Sequence, residues 1–287
     1  MRELMKQIRS AADMSQKELA EYMGVTFATV NRWENSKATP NRIAQEKLYE
    51  LCQMRSIPLY DYILKKIEAE VAALHIAKER LVLYHGSKAG IEGEIALLSR
   101  DKCDFGKGFY MGTQPEQSLT LVCDFDKSKF YVMSIDLKGL DVLDVPADIE
   151  WVMLVAFHQG KMDQIKGSAF YKKYKDMSSS YDIVVGSIAN DRMFYVLDNF
   201  FLGNITDLAL VNSLSALQLG RQYVCVTEKA CKAVRIEKEI ELSHLERKCL
   251  QKVSEENRAK DVSLADDICR NYRREGLFFD EIIEENR

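Results

Sequence analysis

The sequence has no CxxC pair among its seven cysteines, which stand apart at Cys52, Cys103, Cys123, Cys225, Cys231, Cys249 and Cys269. An odd, scattered set excludes a disulfide framework and points to reduced thiols. Histidine is scarce as well. His75, His85, His158 and His244 do not lie near cysteines at ligand spacing, so no metal is expected. No stretch approaches the roughly 20 apolar residues of a membrane span. The opening MRELMKQIRSAADMSQKELA has acids early and no apolar leader core. Neither a membrane partner nor a signal peptide is expected, and the chain reads as cytoplasmic. A large excess of positive charge is also missing. The net charge of −4 argues against a protein that coats nucleic acid along its whole length. There is no repeat and no low-complexity tract.

What is present is 287 residues, 47% of them hydrophobic, enough for one to three domains with a real core. Residues 1–56 read as a small all-α unit. Leu4, Ile8 and Ala11 form a helical stripe. Ser15 followed by Glu18 is a capping box, Leu19 and Met23 continue the apolar face, and Gly24 closes that helix. Thr26 is the expected N-cap of FATVNRWEN. Pro40 is expected in the first turn of a further helix carrying Ile43, Leu48 and Leu51. Short helices with a Gly-containing turn between the second and third describe a helix-turn-helix unit. Nine Lys and Arg face seven Asp and Glu over residues 1–56, a balance of +2, while the remainder carries 31 basic and 37 acidic residues, −6. That split in sign suits a DNA reader joined to a domain that does not bind DNA.

Residues 57–80 form a connector. Pro58 breaks the preceding helix, and Ile63, Ile67, Val71 and Leu74 then recur at helical spacing between charges. This apolar stripe has three candidate seats: the first unit, the domain that follows, or a second copy in a homodimer. From 81 to 241 the pattern changes. RLVLYHGS, FYVMSIDL, LDVLDV, YDIVVGSIA and QYVCVTEKA read as strands. PADIEWVMLVAFHQ, entered by Pro146, and the stretch after Asn204 read as helices. Short strands and helices without a βαβ rhythm indicate α+β. Tyr171, Tyr174 and Tyr181 read as packing aromatics, Asp182 and Asp191 as turn caps. Residues 242–287 are charged and helical, with Leu264, Ile268 and Tyr272 on one side, as a third module or an extension. The expected fold class is multidomain: an all-α helix-turn-helix, an α+β domain, and a helical C-terminal extension.

Two stretches ask for more than packing. LYHGS places His85, Gly86 and Ser87 at a strand end, and DFGKGFYMGT crowds Gly106, Gly108 and Gly112 around Phe109 and Tyr110. The glycines do not make a dinucleotide fingerprint, because no strand leads into them and no helix follows within a βαβ unit. They do not make a phosphate loop either, since no Gly-Lys-Ser/Thr closes them.

MSQKELAEYMGVTFATVNRWENSKATPN resembles the helix-turn-helix of lambda-repressor/Cro-like regulators. That resemblance implies a DNA partner. Gln16 would open the second helix toward DNA, and Thr26, Phe27, Thr29, Asn31 and Arg32 would be the exposed members of the recognition helix over residues 26–34. Ala20, Val25, Val30 and Trp33 would be core. Such units read two half-sites as dimers.

YHGS and FGKGFYMGT together resemble the ADP-ribosyltransferases, in the histidine-tyrosine-glutamate branch of diphtheria-toxin-like and poly(ADP-ribose) polymerase-like enzymes. They are closer still to a bacterial family of that superfamily known as a domain of unknown function, DUF3990. The resemblance covers about 81–235 and includes YDIVVGSIANDRMF and RQYVCVTEKA. It implies an ADP-ribosyltransferase-like fold, NAD as substrate, and a macromolecular acceptor, protein or nucleic acid. His85 and Gly86, with Ser87, would hold the ribose and the nicotinamide amide, Tyr110 would stack near the nicotinamide, and Gly106 and Gly108 would allow the bend that places it. Lys107 is offered for the diphosphate. His85 would donate to a ribose hydroxyl while backbone fixes its other nitrogen. The branch's glutamate falls on Gln222, the third catalytic position. Glutamine can hydrogen-bond a ribose hydroxyl, but it cannot bring negative charge to an oxocarbenium-like centre or act as a general base. Glu228 lies too far along an extended strand to replace it. The glutamine argues against polymer elongation and favours a single transfer or a site that binds NAD without turnover. Rival readings are an NAD-sensing regulator without turnover, an NAD glycohydrolase, and a protein-binding scaffold. The pairing of domains suggests a toxin–antitoxin or phage-defence component by association alone.

Overall fold

The computed structural model describes residues 1–188, 191–216, 220–272 and 275–287. The chain opens with helices α1 (Arg2–Ala11), α2 (Gln16–Met23), α3 (Phe27–Glu34) and α4 (Arg42–Met54). Leu4 and Ile8 of α1 are buried as expected, but Ala12 completes their stripe and Ala11 is exposed. The capping box of Ser15 and Glu18 starts α2, and Gly24 ends it in the left-handed region at φ 67°. Thr26 caps α3 by accepting from the Thr29 amide. The cap of α4 differs from the sequence reading. Asn41 caps it, accepting from the Ala44 amide, and Pro40 lies outside the helix with its carbonyl taken by Gln45. An Asx side chain satisfies a first-turn amide that a proline at that point leaves open. Ile43 is correspondingly 72% exposed, not part of the core stripe.

The connector contains α5 (Leu59–Ala72), with Pro58 at its N-cap. It takes two of its candidate seats. Leu59 and Ile63 complete the core of the helical unit around Ile8, Leu19, Val30 and Leu48, while Ile67 packs with Leu119, Val122, Phe130 and Ile240 of the next domain.

That domain runs through β1 (Leu81–Ser87), β2 (Phe109–Gly112), α6 (Pro115–Val122), β3 (Lys129–Ile135), β4 (Val142–Asp144), α7 (Ile149–His158), α8 (Ala169–Ser179), β5 (Ile183–Ser187), α9 (Asp191–Phe201), α10 (Asp207–Ala216), β6 (Arg221–Cys225), α11 (Glu228–Ala233) and β7 (Val234–Glu241). Among the described residues the strands make one seven-stranded sheet in the order β4-β5-β6-β2-β1-β3-β7. The chain is thus a helical bundle followed by an α+β domain and C-terminal helices. Strands β4 and β5 run parallel, and α7 and α8 supply the crossover that a parallel pair requires. One crossover unit therefore exists where the sequence reading found none. The strand expected over QYVCVTEKA ends at Cys225, because Thr227 caps α11 and Glu228 is that helix's first residue.

Alternation divides the sheet into two faces. One carries Leu83, Phe109, Met111, Tyr131, Val185 and Cys225, under Ala230 and Cys231 of α11. The other carries Val184 and Val224 under Trp151, Leu154, Phe200 and Leu210, and further along Phe130 and Val132 under α5 and α6. Tyr174 is fully buried in that second layer and Tyr171 packs against it.

Helix α12 (His244–Asn271) returns to the start of the chain. Leu245 and Cys249 lie in the core of the helical unit, and Leu250 lies in the cluster that holds Ile67. Glu246, almost wholly buried, pairs with Lys66 at 2.7 Å and caps its own helix through Ser243. Helix α13 (Phe279–Glu285) inserts Phe279, Ile282 and Ile283 into the core beneath the sheet. The tail thus packs on both preceding units. The side chain of Leu264 lies outside the described residues, as do Ala189 and Asn190 and the side chain of Asp191. Asp182, by contrast, ties β5 down, accepting from the Asp141 amide, Thr227 and Lys229. No helix among the described residues is long and apolar enough to cross a membrane.

Candidate functional site

The two glycine-marked motifs become neighbouring antiparallel strands, with Tyr84 opposite Gly112. Gly112 lies opposite Gln222, and Gln222 lies opposite Gly186. One row therefore crosses four strands as Tyr84, Gly112, Gln222 and Gly186. Directly opposed residues share a face. Tyr110, two residues before Gly112, shares it too. His85 does not. It follows Tyr84 and points to the opposite face, where its ring stacks on Phe109 at 4.5 Å and 26° and lies 6.2 Å from Tyr131.

The three expected catalytic residues are thus split by the sheet. Tyr110 and Gln222 come together, and His85 reaches them only through backbone. Its Nδ1 lies 2.7 Å from the Tyr110 carbonyl oxygen. A carbonyl only accepts, so Nδ1 carries the proton. Burial pushes the imidazole pKa down, against the opposing effect of that bond, and the ring is neutral at pH 7. Nε2 is then an acceptor. The expected role of His85 is to donate from its free nitrogen; this tautomer leaves Nε2 able only to accept.

Gln222 is buried, with its Nε2 at 3.0 Å from Asp104 Oδ2 and at 3.0 Å from the Ser187 carbonyl. Both partners accept, which fixes the amide with nitrogen toward them and Oε1 away. The Ser187 carbonyl also takes the indole N–H of the fully buried Trp151. Its two cross-strand neighbours, Gly112 and Gly186, leave Gln222 without flanking side chains in its row. Over Gly186 lies Phe105, whose Cζ would stand 2.6 Å from an added Cβ.

The loop before β2 is built around the Tyr110 hydroxyl. It donates to the Gly106 carbonyl at 2.7 Å and accepts from the Phe105 amide at 3.1 Å. Burial raises the phenol pKa, the Phe105 bond opposes this, and the Asp104 carboxylate adds to the rise. Gly106 adopts φ +73°, the left-handed conformation that a tight bend here needs. Gly108 serves close approach instead: an added Cβ would meet Val224 at 2.6 Å and the Cys225 carbonyl at 2.8 Å. Gly86 has the same kind of reason, with the Ser118 carbonyl of α6 at 2.6 Å. Packing thus accounts for both of these glycines. The Ser87 hydroxyl donates to the Gly90 carbonyl at 2.8 Å, and Lys107 is exposed.

Three neighbours of this site were not singled out from sequence. Asp104 stands directly before the FGKG stretch, and its acid next to a glycine-bounded tyrosine was the available signal. Tyr84 shares the Gln222 row. His158, at the end of α7, lies against Gly106; an added Cβ there would stand 2.6 Å from its Nδ1. His158 Nε2 is buried without a hydrogen-bond partner, and burial pushes its pKa down to about 4. A groove of about 250 Å³ between Gln164, Asp280 and Arg287 contains none of the expected site residues.

In the helical unit, the cap Thr26 and the α3 residues Phe27 and Arg32 are exposed, Phe27 at 54%. Gln16, Thr29 and Asn31 are half-buried. Gln16 donates to Glu34 at 2.7 Å and accepts from Asn31 at 3.4 Å. Burial would raise the Glu34 pKa, but the bonds from Arg9 and Gln16 outweigh it and hold the carboxyl low. This network locks α1, α2 and α3 together behind the exposed face. Ala20, Val30 and Trp33 are core, and Val25 packs against them.

The family described as "Protein of unknown function (DUF3990)" matches residues 81–236, and the family described as "Helix-turn-helix" matches residues 5–52. No curated protein and no solved structure matches the chain.

Proposed function

The chain belongs to the DUF3990 family of proteins of unknown function, and from that premise we propose that it is an NAD-dependent mono-ADP-ribosyltransferase with a DNA-binding unit at its N-terminus. The observation that carries this reading is the bond from His85 Nδ1 to the Tyr110 carbonyl. It joins the YHGS strand to the FGKGFYMG strand and holds a neutral imidazole with an acceptor nitrogen for a ribose hydroxyl. Tyr110 of β2 and Gln222 of the adjacent β6 share the opposite face of the sheet. In the reaction the bond from C1′ of the ribose to nicotinamide breaks, and its electron pair leaves with nicotinamide. The acceptor's lone pair forms the new bond to C1′, and its proton passes to solvent. Positive charge develops on the ribose in between. The role of this chain is to hold the ribose and the leaving ring in reacting geometry.

The domain limits we propose are 1–56, 57–80, 81–241 and 242–287, with NAD held by His85, Gly86, Ser87, Gly106, Gly108 and Tyr110. DNA would meet Gln16, Thr26, Phe27, Thr29, Asn31 and Arg32. The reading is tested by measuring nicotinamide released from NAD by the full chain with cell lysate. Release that His85→Ala abolishes supports it. No release from either protein refutes it. A second reading, an NAD-responsive regulator, is favoured by one observation: α5 and α12 contribute to the core of the helical unit and to that of the sheet domain. A ligand that biased the sheet domain would act on the DNA-reading unit through those shared helices.

A further inference from the structure

The proposed site lacks a carboxylate at 222, yet it holds one a single hydrogen bond away. We propose that Asp104 is the positioning residue of this site, supplying through Gln222 the negative charge that a glutamate would otherwise bring. The inference rests on the transferase reading above.

Three observations carry it. Asp104 is buried, with its Oδ2 at 3.0 Å from Gln222 Nε2. The amide of the next residue, Phe105, donates to the Tyr110 hydroxyl at 3.1 Å, so Asp104 sits beside Tyr110 as well as Gln222. The remaining partner of the Gln222 nitrogen is another acceptor, the Ser187 carbonyl. With both N–H bonds spent on acceptors, Oε1 is the free end of the amide and the only end that can accept a hydroxyl. A carboxylate pulling on the N–H side makes that oxygen a stronger acceptor, since hydrogen bonds in a chain polarise one another. The same geometry explains why glutamine occupies position 222. A glutamate there would set its oxygens against Asp104 Oδ2 and the Ser187 carbonyl oxygen, both acceptors. Two such carboxyls do not both ionise.

The chemistry follows. As the C1′–nicotinamide bond breaks, charge builds on the ribose, and a hydroxyl donating to Gln222 Oε1 becomes more acidic. Asp104 strengthens that bond in the transition state more than in the ground state, so its loss falls on kcat.

The test uses the full-length chain and four proteins: wild type, Asp104→Asn, Gln222→Glu and the double variant. Nicotinamide release and thermal midpoint are read for each. Asp104→Asn keeps an acceptor for the amide but removes the charge. We expect kcat to fall on the order of 10-fold, the difference between a hydrogen bond to a charged group and one to a neutral group, with KM within about twofold. Gln222→Glu alone places two carboxyls together and lowers both the midpoint and kcat. In the double variant the amide introduced at position 104 donates to the carboxylate introduced at position 222. The charge has then moved from one end of the hydrogen bond to the other, and both readouts recover. A wild-type chain that turns over NAD while Asp104→Asn is equally active overturns the role of Asp104 and leaves the transferase reading standing. So does a double variant with no recovery in either readout. No turnover by wild type overturns both.

Discussion

The His158 imidazole makes one contribution to the acid stability of this protein calculable. Its Nε2 has no partner, its ring abuts Gly106, and burial alone depresses its pKa to about 4. In the unfolded chain the same group titrates near 6.5. The unfolded state therefore takes up a proton first as pH falls. The contribution of His158 is complete above pH ~6.5, is lost as pH falls toward about 4, and is flat below. The full gap is worth about 3 kcal/mol, and about 2.5 kcal/mol of it is gone by pH ~4.5. His85, also depressed by burial, acts in the same direction. Carboxylates titrate in part of this range too, so the measurement is a difference. Urea unfolding of wild type and His158→Gln at pH 7 and at pH 4.5 gives two free-energy gaps. Glutamine does not titrate, so the gap should shift by about 2.5 kcal/mol in the variant's favour on acidification. Parallel loss of stability in both proteins would refute the assignment of an uncharged, unpartnered His158.

Other consequences are equally direct. Gly186→Ala would drive a Cβ to 2.6 Å from Phe105 and 3.1 Å from Trp151, costing about 1–3 kcal/mol; an unchanged thermal midpoint would show that the ring moves freely. Glu246→Gln breaks a buried pair whose Lys66 partner is 24% exposed, so the cost should lie near about 3 kcal/mol, the low end for such pairs. The Glu246 pKa is held down by Lys66 and Ser243 in spite of burial, so this contribution is complete above the usual carboxylate value and is lost as pH falls from there through the lowered folded value. A calorimetric midpoint for the variant that matches wild type at pH 7 contradicts it. Arg32→Ala, on the exposed face of α3, should reduce the salt slope of DNA binding by about 1 without altering sheet-domain stability; an unchanged slope removes Arg32 from the phosphate contacts.

Local chemistry was the most legible part of the sequence. The capping box of Ser15 and Glu18, the Gly24 stop and the Thr26 cap each depend on residues within a turn of one another and need no tertiary contact. Strand β1 was equally plain, since its apolar run ends at glycine. Pairings made over long separations were not legible. Gln222 and Asp104 are 118 residues apart, and nothing in either neighbourhood announces the other. The split of His85 from Tyr110 was hidden as well. It depends on the register that sets Tyr84, not His85, opposite Gly112, and a slip of one residue would reverse every face. The seat of α12 was not legible because the apolar side read from sequence lay at Leu264, Ile268 and Tyr272, while among the described residues Leu245, Cys249 and Leu250 enter the cores and Val253 packs against one of them. Asn41 outcompeted Pro40 for the start of α4 because an Asx side chain offers an acceptor that proline lacks.

The most direct test of the central claim is transfer of label from adenine-labelled NAD to macromolecules of a cell lysate, with the full-length protein and His85→Ala side by side. The account predicts label on a macromolecule with the wild-type chain and none with the variant. Label released only as free ADP-ribose, or no consumption of NAD by either protein, would contradict it.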